Sequence, residues 1–296
     1  MALAPATLDE WLAGGERVRV GRFDLFRHVS GSGPWLTLLH GFPTSSWDWA
    51  KVADALGPRH RLLAFDFLGF GDSDKPRDHD YSIHEQANLT QALWNAHGVD
   101  ETGLVAHDYG VSVAQELLAR RREGRLGTRL TGVLFMNGGL FPAWQRPRTI
   151  QKLLLNPLVG PWVARFLGEA RFRRSFGAIF SSAHPPAAEE LAQHWRALER
   201  RGGARIAHRV IRYLRDRRTH RGRWEGALDG ATVPLRFVWG LADPVSGAPM
   251  ASEIRRRRPP GELVELPEVG HYPQLEVPEI VAGEIASFLG RVGSRA

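Results

Sequence analysis

The chain has 296 residues, 43% of them hydrophobic and 24% charged, the balance of a globular chain with enough apolar material for a sizeable core. It contains no cysteine, which excludes disulfides, thiolate chemistry and cysteine-ligated metals, and no apolar run is long enough to span a membrane. The formal charge of +7 is carried almost wholly by arginine, since lysine occurs only at Lys51, Lys75 and Lys152.

The opening stretch, MALAPATLDEWLAGGERVRV, has acids and glycines where a signal peptide needs an apolar segment, so a cytoplasmic location is expected. Strands are predicted over 35–40 (WLTLLH), 61–67, 102–108, 131–138, 235–240 and 262–267, several without apolar–polar alternation. Such runs are buried on both faces, as in a parallel sheet. A helix is predicted over 82–98: Ser82 and Glu85 form the pattern of a capping box, and Gly98 marks the stop. Further helices are predicted over 112–122 and 277–292. Strand–helix alternation gives an α/β fold with a mostly parallel sheet.

Between 141 and 228 strand-like runs vanish and helical segments rich in Trp, Phe and Arg follow one another. The expected organisation is a core over 1–140, an inserted helical cap over 141–228 and the rest of the core over 229–296. The cap is expected over the strand ends, where open α/β sheets bind ligands. The arginines of 196–224 alternate with apolar residues at helical spacing and read as solvated helix faces rather than a nucleic-acid or membrane surface. The run RRRR at 255–258 reads as an exposed helix end, where the dipole favours cations.

At 106–110 the chain reads Ala-His-Asp-Tyr-Gly between a strand and a helix. This is the small–x–nucleophile–x–small pattern of a nucleophile elbow, with Asp108 in the nucleophile position. An isolated Asp at a strand end is more often a turn residue, so the motif counts only with its partners. Those partners follow in the order expected of an α/β-hydrolase: Asp243 beyond the strand 235–240, then His271 in a loop before the last helix. The turn His-Gly-Phe-Pro at 40–43 is placed to offer the Phe42 amide to an oxyanion, with the Tyr109 amide as second donor.

The segments LLHGFPTSSWDW, DFLGFGDSDKP, YSIHEQA, HDYG, NGGLFP and GHYPQLEVPE resemble α/β-hydrolases of the epoxide hydrolase and haloalkane dehalogenase superfamily, and within it the mesoderm-specific transcript family. In DFLGFGDSDKP the resemblance implies a structural loop held by Asp66 and Ser73. Some relatives carry the relay acid at the end of the strand 131–138, where this chain has Asn137; Asp243 is the candidate here.

A carboxylate is already ionised at neutral pH and suits attack on a strained or activated saturated carbon better than acyl transfer. The expected product of such attack is an alkyl ester on Asp108. Water activated by His271 and Asp243 would then cleave it at the carbonyl carbon, with the oxyanion held by Phe42 and Tyr109. Dehalogenases hold the departing halide with Trp and Asn N–H donors; here Tyr109 and Phe42 stand in those places, leaving Trp144, Trp162 or Trp195 as substitutes. Epoxide hydrolases protonate the opening ring with two cap tyrosines. The segment 211–224 resembles the one carrying the first and supplies Tyr213, while the second has no counterpart near 176–186. The expectation is an epoxide hydrolase acting with water on a small apolar substrate, with no metal, no cofactor and no nucleic-acid partner. Haloalkane dehalogenase is the alternative; an esterase is poorly served by Asp108, and a non-catalytic binding module would have no use for all three polar partners. A cap of this composition suggests a mainly apolar pocket.

Overall fold

The computed structural model describes residues 7–293. Residues 1–6, part of the stretch read as unlike a signal peptide, lie outside the described residues. The strands are β1 (Glu16–Val20), β2 (Phe23–Ser30), β3 (Trp35–Leu39), β4 (Arg61–Phe65), β5 (Glu101–Asp108), β6 (Arg129–Gly138), β7 (Leu235–Gly240) and β8 (Leu263–Leu266). They form one sheet in the order β1-β2-β4-β3-β5-β6-β7-β8. β4, β3 and β5 through β8 are parallel neighbours, whereas β1 pairs antiparallel with β2 and β2 with β4. The fold is therefore the expected α/β-hydrolase architecture, with one addition. The sequence reading places no strand before residue 35, and the structure has the hairpin β1–β2 at the sheet edge, turning through Gly21 at φ +60°.

The helices of the first half are α1 (Leu8–Ala13), α2 (Ala50–Leu56), α3 (Ile83–Ala96) and α4 (Tyr109–Arg122). Between β6 and β7 lie α5 (Thr149–Leu155), α6 (Gly160–Arg165), α7 (Glu169–Gly177), α8 (Ala188–Glu199), α9 (Gly203–Val210), α10 (Tyr213–Thr219) and α11 (Arg221–Asp229), a helical insertion. α12 (Ala248–Arg257), α13 (Pro273–Glu276) and α14 (Pro278–Gly293) complete the chain.

Period-two alternation sends strand side chains to two cores. Leu104, Ala106, Val133 and Phe135 pack with α3, α4 and α11, including Trp94, Leu117 and Trp224. Val105, Leu134 and Met136 pack with α1, α2 and α14, including Trp11, Val52, Ile285 and Phe288. This double coverage is why β5 is buried at every position after Glu101 and shows no polar alternation. Each large apolar side chain so buried contributes about 1.5–3 kcal/mol relative to exposure. A third cluster belongs to the insertion: Phe172, Phe176, Ile179, Trp195 and Leu198 close on Val245 and Tyr272, which sit beside Asp243 and His271 in the chain.

Only half of the expected capping box forms on α3. Ser82 Oγ accepts from the Glu85 N–H at 3.2 Å, but the Glu85 carboxylate pairs with His79. α4 begins at Tyr109, three residues before the predicted start. The arginines predicted as solvated are mostly ion-paired: Arg200 with Asp72, Arg209 with Asp78, and Arg223 with Glu116. In the 255–258 run, Arg255 pairs with Glu265, Arg256 and Arg257 with Glu253, and Arg258 with Glu262; Arg257 and Arg258 are half-buried. One arginine departs from the solvated reading altogether, because Arg217 is 1% exposed.

The loop 66–76 holds together as expected of Asp66 and Ser73. Ser73 Oγ donates to the Asp66 carbonyl at 2.6 Å and accepts the Phe26 N–H at 2.9 Å. The Asp66 carboxylate accepts the Ser46 and Asp72 amides, each at 2.7 Å.

Candidate active site

The site forms at the carboxyl ends of β3, β5, β6 and β7. Asp108 ends β5 and precedes α4, with φ +39° and ψ −96°. A non-glycine residue in that region stores about 1–3 kcal/mol of strain, held by its surroundings. Two glycines permit the sharp corner. A Cβ on Gly110 would lie 2.7 Å from the Leu39 carbonyl oxygen. A Cβ on Gly41 would lie 2.8 Å from His107 Nδ1 and 3.1 Å from Asp108 Cβ. The β3 turn and the β5 elbow therefore meet backbone to side chain, and the Phe42 N–H donates to Asp108 Oδ2 at 3.1 Å. Tyr109 opens α4, so its N–H has no partner within the helix and sits at the positive end of the helix dipole.

His271 reaches the same place from the loop after β8. Its backbone is clamped on both sides: the N–H donates to the Ile179 carbonyl at 2.9 Å, and the carbonyl accepts from His107 Nε2 at 2.7 Å. Burial holds His107 neutral, with a pKa lowered to about 3. His271 Nδ1 contacts Asp243 Oδ2 at 2.7 Å. Burial disfavours the imidazolium, but the Asp243 charge and hydrogen bond, together with the Asp108 charge, outweigh it and raise the His271 pKa. Burial likewise opposes the Asp243 carboxylate; the charge and hydrogen bond of His271 and the donors Ser246 and Asn137 reverse the balance and lower its pKa. Asp243 Oδ2 accepts Ser246 Oγ–H at 2.6 Å and Asn137 Nδ2–H at 2.9 Å, and Oδ1 accepts the Val245 N–H at 2.7 Å.

Asn137 is a functional residue that the sequence reading noted only as the place of a missing acid. Its amide donates to the Gly240 carbonyl at 2.9 Å and accepts the Gly240 N–H at 2.7 Å, bolting the end of β6 to the end of β7 beneath Asp243.

Tyr213 opens α10 and is fully buried. Its ring lies 4.9 Å from Tyr109 and 5.9 Å from Phe42, centroid to centroid, and its hydroxyl, though within reach of the Arg217 guanidinium, makes no hydrogen bond of good geometry among the described residues. Burial pushes the phenol pKa up and the Asp108 charge adds to the rise, while the charge and hydrogen bonding of Arg217 oppose both. Arg217 was not among the sequence candidates. Its Nη2 donates to the Asp108 carbonyl at 2.6 Å, its Nε donates to Ser112 Oγ at 2.6 Å, and Nη2 lies 3.5 Å from Asp108 Oδ1. The available signal was spacing: Arg217 stands four residues after Tyr213, on the same helix face.

A cavity of about 70 Å³ leads to the site and is bounded there by Phe42 and His271. Its walls are mainly apolar, with Leu154, Phe172, Phe176 and Leu198 from the insertion and Arg148 toward the outside. None of Trp144, Trp162 and Trp195 lines it; Trp144 and Trp162 are solvent-exposed. Asp108 and Tyr213 are themselves outside its walls, with Phe42 and His271 the residues that connect it to them. Among the described residues, no group of three or more His, Asp or Glu side chains is arranged to hold a metal ion. All six sequence candidates, Phe42, Asp108, Tyr109, Tyr213, Asp243 and His271, are thus buried within one contiguous site.

The profile of the α/β hydrolase fold family matches residues 34–278. LipZ of Mycobacterium tuberculosis, named as a hydrolase, is 43% identical over 96% of this chain and 98% of its own. The mesoderm-specific transcript homolog protein of Homo sapiens is 38% identical over 99% of this chain and 89% of its own. Among solved structures, an α/β hydrolase fold protein from Burkholderia ambifaria superposes with a TM-score of 0.79 at 25% identity, covering 96% of this chain and 100% of that one.

Proposed function

Since the chain belongs to the α/β hydrolase fold family, we propose that it is an epoxide hydrolase, which opens an oxirane to a vicinal diol through an ester on Asp108. The observation that carries this reading is a carboxylate, rather than a hydroxyl, at the strained corner between the Phe42 amide and the His271–Asp243 pair. In this reading 141–228 is a cap between the core segments 1–140 and 229–296, and its apolar wall selects a small apolar substrate that meets water inside; no cofactor takes part.

An Asp108 carboxylate oxygen attacks a ring carbon, the carbon–oxygen bond breaks, and the ring oxygen takes the Tyr213 proton. His271 then removes a proton from water, and the hydroxide adds to the ester carbonyl. The Phe42 and Tyr109 amides stabilise the resulting oxyanion, where loss of one donor typically costs ~10²–10³ in rate. Asp243 orients the imidazole and balances the imidazolium. Collapse of the adduct expels the substrate oxygen, which takes the adduct's hydroxyl proton, so that the diol leaves and the Asp108 carboxylate is restored, while the His271 proton returns to Tyr213.

A halide leaving group needs N–H donors at the substrate, and of the three candidates Trp144 and Trp162 are solvent-exposed while Trp195 packs in the apolar cluster of the insertion, which argues against one. The test is a parallel assay of diol from styrene oxide and halide from 1-bromobutane, with intact-mass analysis of His271→Gln. Diol formation, together with a styrene oxide adduct in the variant, supports the proposal. Halide release and an alkyl adduct from bromobutane alone would replace it with a dehalogenase.

A further inference from the structure

Arg217 carries a full charge inside the molecule, and the Asp108 carboxylate, 3.5 Å away, is the only acid within ion-pair distance among the described residues. Ser112 Oγ and the Asp108 carbonyl take its Nε–H and Nη2–H, and Nη1 has no hydrogen-bond partner among the described residues. The same guanidinium lies over the Tyr213 ring, with Cζ 4.6 Å from the centroid. Gly139 leaves the room: a Cβ there would fall 2.4 Å from Nη1. A buried cation thus stands between a carboxylate and a buried phenol. Leaving such a cation without its counter-charge is strongly unfavourable.

Alkylation removes that counter-charge. As the Asp108 oxygen bonds to carbon, the carboxylate becomes a neutral ester. The electron pair of the broken carbon–oxygen bond stays on the ring oxygen, which takes the Tyr213 proton and leaves a phenolate. Before the step the charges are carboxylate, guanidinium and neutral phenol; after it they are neutral ester, guanidinium and phenolate. We infer that Arg217 is a positioning residue whose counter-ion passes from the Asp108 carboxylate to the Tyr213 phenolate as the ester forms, an inference that rests on the epoxide reading. The ionisation that the Asp108 charge opposes in the resting enzyme is favoured once that charge is gone. One tyrosine beside one arginine then suffices, Tyr213 being the only tyrosine of residues 141–228. When His271 later takes a proton from water, that proton returns to Tyr213 and the carboxylate is regained.

The test uses the full chain with His271→Gln, so that the ester accumulates, and measures adduct formation by quenched intact mass with styrene oxide and with phenacyl bromide. Bromide departs with its electron pair and needs no proton. Arg217→Met is expected to slow the epoxide reaction about tenfold more than the bromide reaction, part of the ~10²–10⁴ that proton transfer contributes. Arg217→Lys should recover part of this selectivity, and Tyr213→Phe should show the same selective loss. Because both substrates are compared in one preparation, a fall in folded fraction cancels from the ratio. An unchanged ratio in Arg217→Met overturns the inference. If the parent His271→Gln forms no epoxide adduct, the epoxide reading itself fails, whatever Arg217 does.

Discussion

Asn137→Ala is the perturbation that most clearly separates scaffold from chemistry. The side chain makes three bonds in a fully buried position: to the Gly240 carbonyl, from the Gly240 N–H, and to Asp243 Oδ2. Truncation leaves the two backbone groups of Gly240 without these partners. An unsatisfied buried donor or acceptor costs about 1–3 kcal/mol, so the two together cost roughly 2–6 kcal/mol. Asp243 loses one of four donors and keeps Ser246, the Val245 amide and His271. Most of the penalty should therefore appear in folding stability rather than in ester formation. The assay is urea denaturation of wild type and variant at one pH, read as a lower midpoint with an unchanged slope, alongside single-turnover ester formation. Ser246→Ala is the control, since it removes a donor to Asp243 without touching Gly240. A loss below about 0.5 kcal/mol, the range of an ordinary surface substitution, would refute the reasoning that Asn137 bolts β6 to β7.

Three further outcomes follow from the site geometry. The His271 imidazole should titrate above 6.5 by NMR in the free enzyme, and Asp108→Asn should lower that pKa, since the Asp108 charge is among the causes of its rise. Because the base must be neutral to accept a proton, ester hydrolysis should fall away as pH drops through the His271 pKa of the esterified enzyme. No change in His271 on Asp108→Asn would contradict this coupling. Gly110→Ala should destabilise the chain by about 1–3 kcal/mol and sharply reduce turnover, since its Cβ meets the Leu39 backbone; a variant with wild-type melting and turnover would show that the corner is not tight.

The parallel strands were legible because burial on both faces leaves runs without apolar–polar alternation, such as WLTLL and GLVA. The hairpin was not. β1 is five residues long, lies at the edge and has one fully buried residue, Val20, so Arg17 and Arg19 dominate its pattern. The line of Asp108, Asp243 and His271 was readable from chain order and turn chemistry. Its supports were not, because they act through backbone atoms: Asn137 through Gly240, and His107 through the His271 carbonyl. Arg217 was hidden by its neighbours. In a segment crowded with arginines, composition points to solvated faces, and only the packing of α10 against the start of α4 singles out the buried one.

The central claim is that Asp108 is esterified and then released by water at its own carbonyl carbon. The direct measurement is one turnover of styrene oxide by excess enzyme in ¹⁸O-labelled water, followed by peptide mass analysis of the segment containing Asp108. The account places the label in the Asp108 carboxylate, with the first diol unlabelled. Label in the diol and none in Asp108 would mean that water attacks the substrate directly, and the account would be wrong.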